Sequence, residues 1–160
     1  LVAGSVVVPG FALASLPAVT SEGPTGFIPG EPGSCYAYLT DYLFPATYRN
    51  ASGLLDGSKN NRSQVIRLQQ FLNQVEGANA LTGTLLPANL PVTGYYGAQT
   101  TQAVKNFQRY YWPVILLPWQ PHGLTDVKTG TGLVYKTTKR WINMLNCPGA
   151  SLPLPDLRSR

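Results

Sequence analysis

Through residues 64–75 the apolar side chains Val65, Leu68, Leu72 and Val75 return at steps of three and four, a spacing that only an α-helix gathers onto one side. Ser63 offers a capping hydroxyl and Gly77 a stop, so a helix is predicted between them. A second helix is expected to open at Thr100, turn Ala103, Val104, Phe107 and Tyr110 or Tyr111 inward, and end at Trp112-Pro113. A third and shorter one begins near Thr137 or Thr138, buries Trp141, Ile142 and Leu145, and stops at Cys147-Pro148. Helices with one apolar side each must close on one another, which predicts a mainly α fold.

The connections are long. Glycine (16) and proline (14) together fill 30 of the 160 positions, whereas charged residues make up only 12%, about half the usual share. Tyr36 to Leu43 reads as a short helical stretch with Leu39, Tyr42 and Leu43 on one side, ended by Pro45. Residues 78–93 read as a loop with room for a short strand, residues 114–119 as one helical turn, and residues 122–132 as a Gly and Thr loop. The two later helices look like one unit written twice: residues 96–107 align with 134–145, placing Thr100 on Thr138, Val104 on Ile142 and Phe107 on Leu145.

A helix of the form x-V-x-x-L-Q-x-x-L-N, followed by G-x-x-G-x-x-T-x-x-A-V-x-x-F-Q, is met by Val65, Leu68, Gln69, Leu72 and Asn73, and by Gly94, Gly97, Thr100, Ala103, Val104, Phe107 and Gln108. This pattern resembles the three-helix peptidoglycan-binding domain appended to many bacterial wall enzymes and surface proteins, in the divergent form found in large bacterial cell-surface proteins. The resemblance implies a compact three-helix bundle with long loops and, as function, the holding of peptidoglycan. Nearly all the matched residues are ones a fold needs, since the glycines make a tight turn and Ala103 to Phe107 form a core face, so the implication is stronger for fold than for ligand.

Residues 1–20 carry no charged side chain, and Pro9, Gly10 and Pro17 break any helix while Val2 and the run Val6-Val7-Val8 favour extended chain. An extended apolar arm of β type is expected, not a membrane span. It suits strand addition to a neighbouring subunit, with Val2, Val6, Val7, Val8, Phe11 and Leu13 donated and Phe27 and Ile28 fixing the linker. Two other readings stand beside it: a signal-peptide remnant, from the small-x-small end of residues 11–14, and an arm folded back on its own domain. The expected organisation is arm and Pro/Gly-rich linker over 1–34, helical domain over 35–147, and a Pro-rich tail over 148–160.

Net charge is +5, with Glu22 and Glu31 but no Lys or Arg in the first 34 residues and most basic residues between Arg49 and Arg140. The Lys and Arg are scattered, which argues against nucleic acid as a partner. Cys35 and Cys147 stand at the two edges of the globular segment and read as a disulfide closing it, the alternative being two unpaired buried thiols. Two cysteines and the single His122 make no standard structural zinc set, and no metal or cofactor is expected. Seven carboxylates are spread over the chain and His122 lies in a Pro-Gly loop, so no catalytic constellation is visible and the chain reads as a non-enzyme.

Aromatic residues are the remaining candidates. Tyr95, Tyr96, Tyr111, Trp112 and Trp119 gather around the second helix, where stacked rings beside amide side chains suit a glycan, although such rings more commonly fill cores and interfaces. Asn50-Ala-Ser52 and Asn61-Arg-Ser63 match the N-glycosylation pattern. Two functions are carried forward. The first is a secreted structural subunit of an extracellular or cell-surface filament, whose arm joins copies head to tail. The second is a non-catalytic module of a bacterial surface protein that binds peptidoglycan or another carbohydrate.

Overall fold

The computed structural model describes residues 37–78, 88–149 and 151–158. The apolar arm with Val2, Val6, Val7, Val8, Phe11 and Leu13, and Cys35, lie outside the described residues. Within them the chain forms four helices, α1 (Arg62–Leu72), α2 (Ala98–Tyr110), α3 (Trp112–Ile115) and α4 (Lys136–Asn146), with 3-10 turns at Gly57–Lys59 and Leu117–His122. No strand forms among the described residues; two isolated antiparallel bridges, Leu43 with Val134 and Arg49 with Asp56, take its place. None of the helices is long and apolar enough to cross a membrane.

The core assembles where the periodicity puts it. Val65, Leu68 and Leu72 of α1, Ala103, Val104 and Phe107 of α2, and Ile142 of α4 are all fully buried, and Phe71 meets Phe107 edge to face with ring centroids 5.4 Å apart. Burial of one such side chain contributes about 2 kcal/mol. On α4 the inward side is narrower than the sequence suggests: Ile142 is buried, Trp141 is only partly so, and Leu145 stays 36% exposed.

The helix starts differ by one or two residues from the sequence reading, for a common reason. The cap of α1 is Asn61, whose side chain accepts from the Ser63 backbone N–H at 3.0 Å, and Ser63 lies inside the first turn. The residues expected to cap the later helices point inward instead. Thr100 and Thr138 are 3% and 2% exposed, and α2 and α4 begin two residues earlier, after Gly97 and Tyr135, with no side-chain cap.

Those threonines serve two buried amide clamps. On α1, the Gln69 carbonyl oxygen accepts from the backbone N–H groups of Thr93 and Gly94, both at 2.9 Å, while its amide donates to Tyr95 O and Thr100 Oγ1, both at 3.0 Å. On α2, Gln108 accepts from Gly132 N at 2.9 Å and donates to Leu133 O at 2.9 Å and Thr138 Oγ1 at 3.0 Å. Each clamp ties the loop before the next helix to the end of the helix before it. Gly94 and Gly132 occupy matching places with φ of +77° and +76°, a left-handed conformation that favours glycine. The unit written twice in the sequence is thus a repeat of hydrogen bonding, with α2 shared between its two copies.

No helix forms over residues 37–43. The backbone there, bent at Tyr38 and Asp41, is held by side chains from distant elements: Asn143 Oδ1 accepts from Leu39 N at 2.7 Å and Asn143 Nδ2 donates to Leu39 O at 3.0 Å, while Gln64 accepts from Thr40 N at 2.9 Å. Leu43 then exchanges two hydrogen bonds with Val134 at 3.0 and 2.8 Å. A turn of helix over these residues would have to break all five bonds and expose Leu39 and Leu43, both fully buried.

Candidate functional site

The aromatic residues singled out by sequence do not form one surface. Tyr96 is 1% exposed, and its hydroxyl donates to Gly132 O at 2.8 Å inside the core, with burial pushing its pKa well above the usual tyrosine value. Its ring is therefore closed to a glycan. Tyr95 stands 62% exposed on the loop before α2. Tyr111 packs between Phe107 (5.0 Å) and Trp141 (5.7 Å), and Trp112 lies under the Lys128 ammonium. Trp119 belongs to a different side of the molecule.

There it joins a strip that the sequence reading missed. The segment 37–44 leaves Tyr42 exposed, and Tyr42 meets Tyr135, the residue before α4, at 4.7 Å and 62°. Tyr135 stacks on Trp119 at 5.8 Å and 28°, and the edge of His122 closes the row 6.3 Å further on. Phe44 supports Tyr135 from beneath at 6.2 Å, itself only 5% exposed. The Trp119 indole is fixed by donating to Thr137 Oγ1 at 2.7 Å, and that hydroxyl donates in turn to Ile115 O at 2.8 Å. This chain of bonds orients the ring before any ligand arrives.

Two lysines border the strip. Lys139 Nζ lies 4.3 Å from the Tyr42 centroid and donates to Thr40 O at 3.0 Å; partial burial lowers its pKa from the ordinary lysine value, opposed by the Asp41 carboxylate. Lys136 Nζ lies 5.5 Å from the Tyr135 ring. Beyond Tyr42 the surface opens into a depression of about 270 Å³, bounded by Asp41, Phe44, Asp56, Lys59 and Asn60. That volume falls just below the range that small-ligand sites usually enclose. Asp56 is held by Arg49 at 2.8 Å, and Asn60 exchanges hydrogen bonds with the Phe44 backbone at 3.2 and 2.6 Å.

What this surface offers chemically is adhesion. Exposed rings pack against the C–H face of a sugar, while carboxylates at the margin accept from hydroxyls and a lysine donates to them. His122 is exposed and set against the Trp119 edge, and no group of three His, Cys, Asp or Glu able to hold a metal exists among the described residues. Both sequon asparagines serve the backbone: Asn50 accepts from Leu55 N at 2.9 Å and donates to Ser52 Oγ at 2.8 Å, and Asn61 caps α1. Cys147 is buried after the last turn of α4, and no cysteine is free among the described residues.

Tyr42 and Tyr135 were hidden by their local context. Reading residues 36–43 as a helix separates Tyr42 from Phe44, whereas an extended chain puts both on one side. Tyr135 falls in the repeat at the place of Gly97, a position with no aromatic counterpart in the other copy.

Residues 61–112, from the cap of α1 to the start of α3, match the family model described as a putative peptidoglycan binding domain. No curated protein and no solved structure matches the chain. The strip of Tyr42, Tyr135 and Trp119 lies outside the matched segment, on elements that pack against it. The matched residues carry α1, the Gln69 clamp and α2, and over this stretch the chain is similar to a peptidoglycan-binding domain.

Proposed function

We propose that this chain is a non-catalytic module that binds peptidoglycan or a related cell-wall glycan, and that the strip of Tyr42, Tyr135 and Trp119 with its adjoining depression is the surface that holds it. The observation that carries the reading is the presence of an oriented, partly exposed aromatic row on a domain whose helical unit matches the peptidoglycan-binding family. A wall or cell-surface location follows from it. Cys35 pairs with Cys147 in this proposal, tying the root of the N-terminal segment to the end of α4. The head-to-tail assembly expected from the apolar arm finds no support, because no observation among the described residues bears on self-association.

Retention on purified, insoluble peptidoglycan sacculi tests the reading. The full chain is expected to pellet with sacculi, and Tyr42→Ala with Trp119→Ala to lower the affinity about tenfold or more, each lost aromatic contact being worth on the order of 1 kcal/mol. Retention unchanged in the double variant, with its circular dichroism intact, moves the site elsewhere; absence of retention in the parent chain sinks glycan binding.

A further inference from the structure

Four side chains that take no part in the glycan strip stand in a row across the ends of two helices. Tyr110, the last residue of α2, meets Tyr111 edge to face with ring centroids 4.7 Å apart, and Tyr111 lies 5.7 Å from Trp141 on α4. Leu145 follows Trp141 one turn later on the same helix. Tyr110 is 42% exposed and Leu145 36%, with Tyr111 and Trp141 partly buried between them. The Gly77 backbone packs against the Tyr110 ring so closely that no Cβ fits there, which gives the ring a fixed backing.

Two features set this row apart from scattered apolar groups on a surface. The Trp141 indole N–H is closed off from solvent and donates to nothing, and a buried donor in that state is destabilising until an acceptor reaches it. The row also leads to a particular place in the chain. Leu145 stands two residues before Cys147, which ends α4 and is not a free thiol. With Cys35 paired to Cys147 as proposed above, the chain preceding Cys35 starts at the Leu145 end of the row.

Reach and charge agree with that starting point. At 1.5 Å per residue along α4, the way from Cys147 past Leu145 and Trp141 to Tyr110 is about 20 Å. Pro24, Pro29 and Pro32 disfavour a helix, and seven or eight residues of extended proline-rich chain span about 22 to 25 Å. Ile28 and Phe27, seven and eight residues before Cys35, can therefore come level with Tyr111 and Tyr110. Residues 1–34 hold Glu22 and Glu31 and no Lys or Arg, while Arg109, exposed next to Tyr110, has no carboxylate partner among the described residues.

We propose that the row of Tyr110, Tyr111, Trp141 and Leu145 is the dock for this chain's own N-terminal segment, with Phe27 and Ile28 as anchors on the tyrosines and the peptide carbonyls of residues 29–34 as acceptors for the Trp141 indole. The inference rests on the disulfide proposed above and not on the glycan reading. Tethered at Cys35, the segment meets the row at an effective concentration on the order of millimolar, so a weak contact suffices to seat it.

The test uses the full oxidised chain. Peptide mapping without reductant first establishes whether Cys35 is joined to Cys147; an unpaired Cys35 removes the root of the segment and overturns the proposal, while sacculus retention decides the glycan reading independently. Benzoylphenylalanine is then placed at position 27 and irradiated in an equal mixture of unlabelled and heavy-isotope-labelled protein. Cross-links are expected to Tyr110, Tyr111 or Trp141 within one isotopic species, whereas links to other regions, or links joining the two species, overturn the proposal. The rate of iodination at Tyr110, followed by mass spectrometry, gives a second readout. With the segment seated about nine-tenths of the time, Phe27→Ser combined with Ile28→Ser is expected to raise that rate about tenfold and to leave Tyr95, outside the row, unchanged. Both substitutions lie outside the helices, and circular dichroism checks that the fold persists. Equal rates at Tyr110 in parent and variant overturn the proposal.

Discussion

Two glutamines do at residue scale what a sheet does in other folds: they satisfy the backbone of loops that have no strand partner. Replacing Gln108 by Leu keeps the volume but strips Gly132 N, Leu133 O and Thr138 Oγ1 of a partner in a dry site. The expected cost is about 3 kcal/mol, seen as a fall in thermal midpoint of about 8 °C by calorimetry. Tyr96 gives a pH effect with a definite sign. Its folded pKa is raised well above the ordinary 10.0, so the folded state holds a proton that the unfolded chain releases near that pH. The stability it contributes is complete below about pH 10 and is lost progressively as pH rises toward the folded pKa. Urea midpoints measured from about pH 8 to 11 should therefore fall at the alkaline end, and less steeply in Tyr96→Phe. The glutamines were visible in the sequence as part of a helical pattern. Their work was not, because each reaches a loop 24 to 26 residues away in the chain.

At the scale of elements, the periodicity of α1, α2 and α4 located each helix to within a few residues, since an apolar stripe has no other way to be buried. It failed over residues 37–43 because the deciding partner, Asn143, is 104 residues away. With one side chain both accepting from and donating to Leu39, Asn143 acts as a bridge between α4 and the segment 37–43. Asn143→Ala is expected to lower stability by about 2 kcal/mol and to speed amide exchange at Leu39 well beyond the change at Leu43, which Val134 still holds. Equal acceleration at both amides would show that the segment opens as one unit with the whole fold. The strip inherits this dependence, because Tyr42 is carried by the same segment.

Taken whole, the molecule joins its ends to its centre by connections of different strength. If Cys35 bonds Cys147 as proposed, the closed loop exceeds a hundred residues, and reduction should lower stability by about 4 to 5 kcal/mol in the chain-entropy account, read as a shift in urea midpoint with and without reductant. Residues 151–158 need no covalent tie, since Lys136 Nζ donates to Asp156 O and Arg140 Nε to Leu152 O and Pro153 O. The double use of α2 sets another limit on how the chain can be divided. Since Gln69 clamps the loop in front of α2 and Gln108, on α2 itself, clamps the loop in front of α4, a fragment ending where the family match ends retains the first clamp and strands the second glutamine without its loop. The stretch that matches the family model is thus shorter than the stretch held together by the two clamps, which runs on into α4.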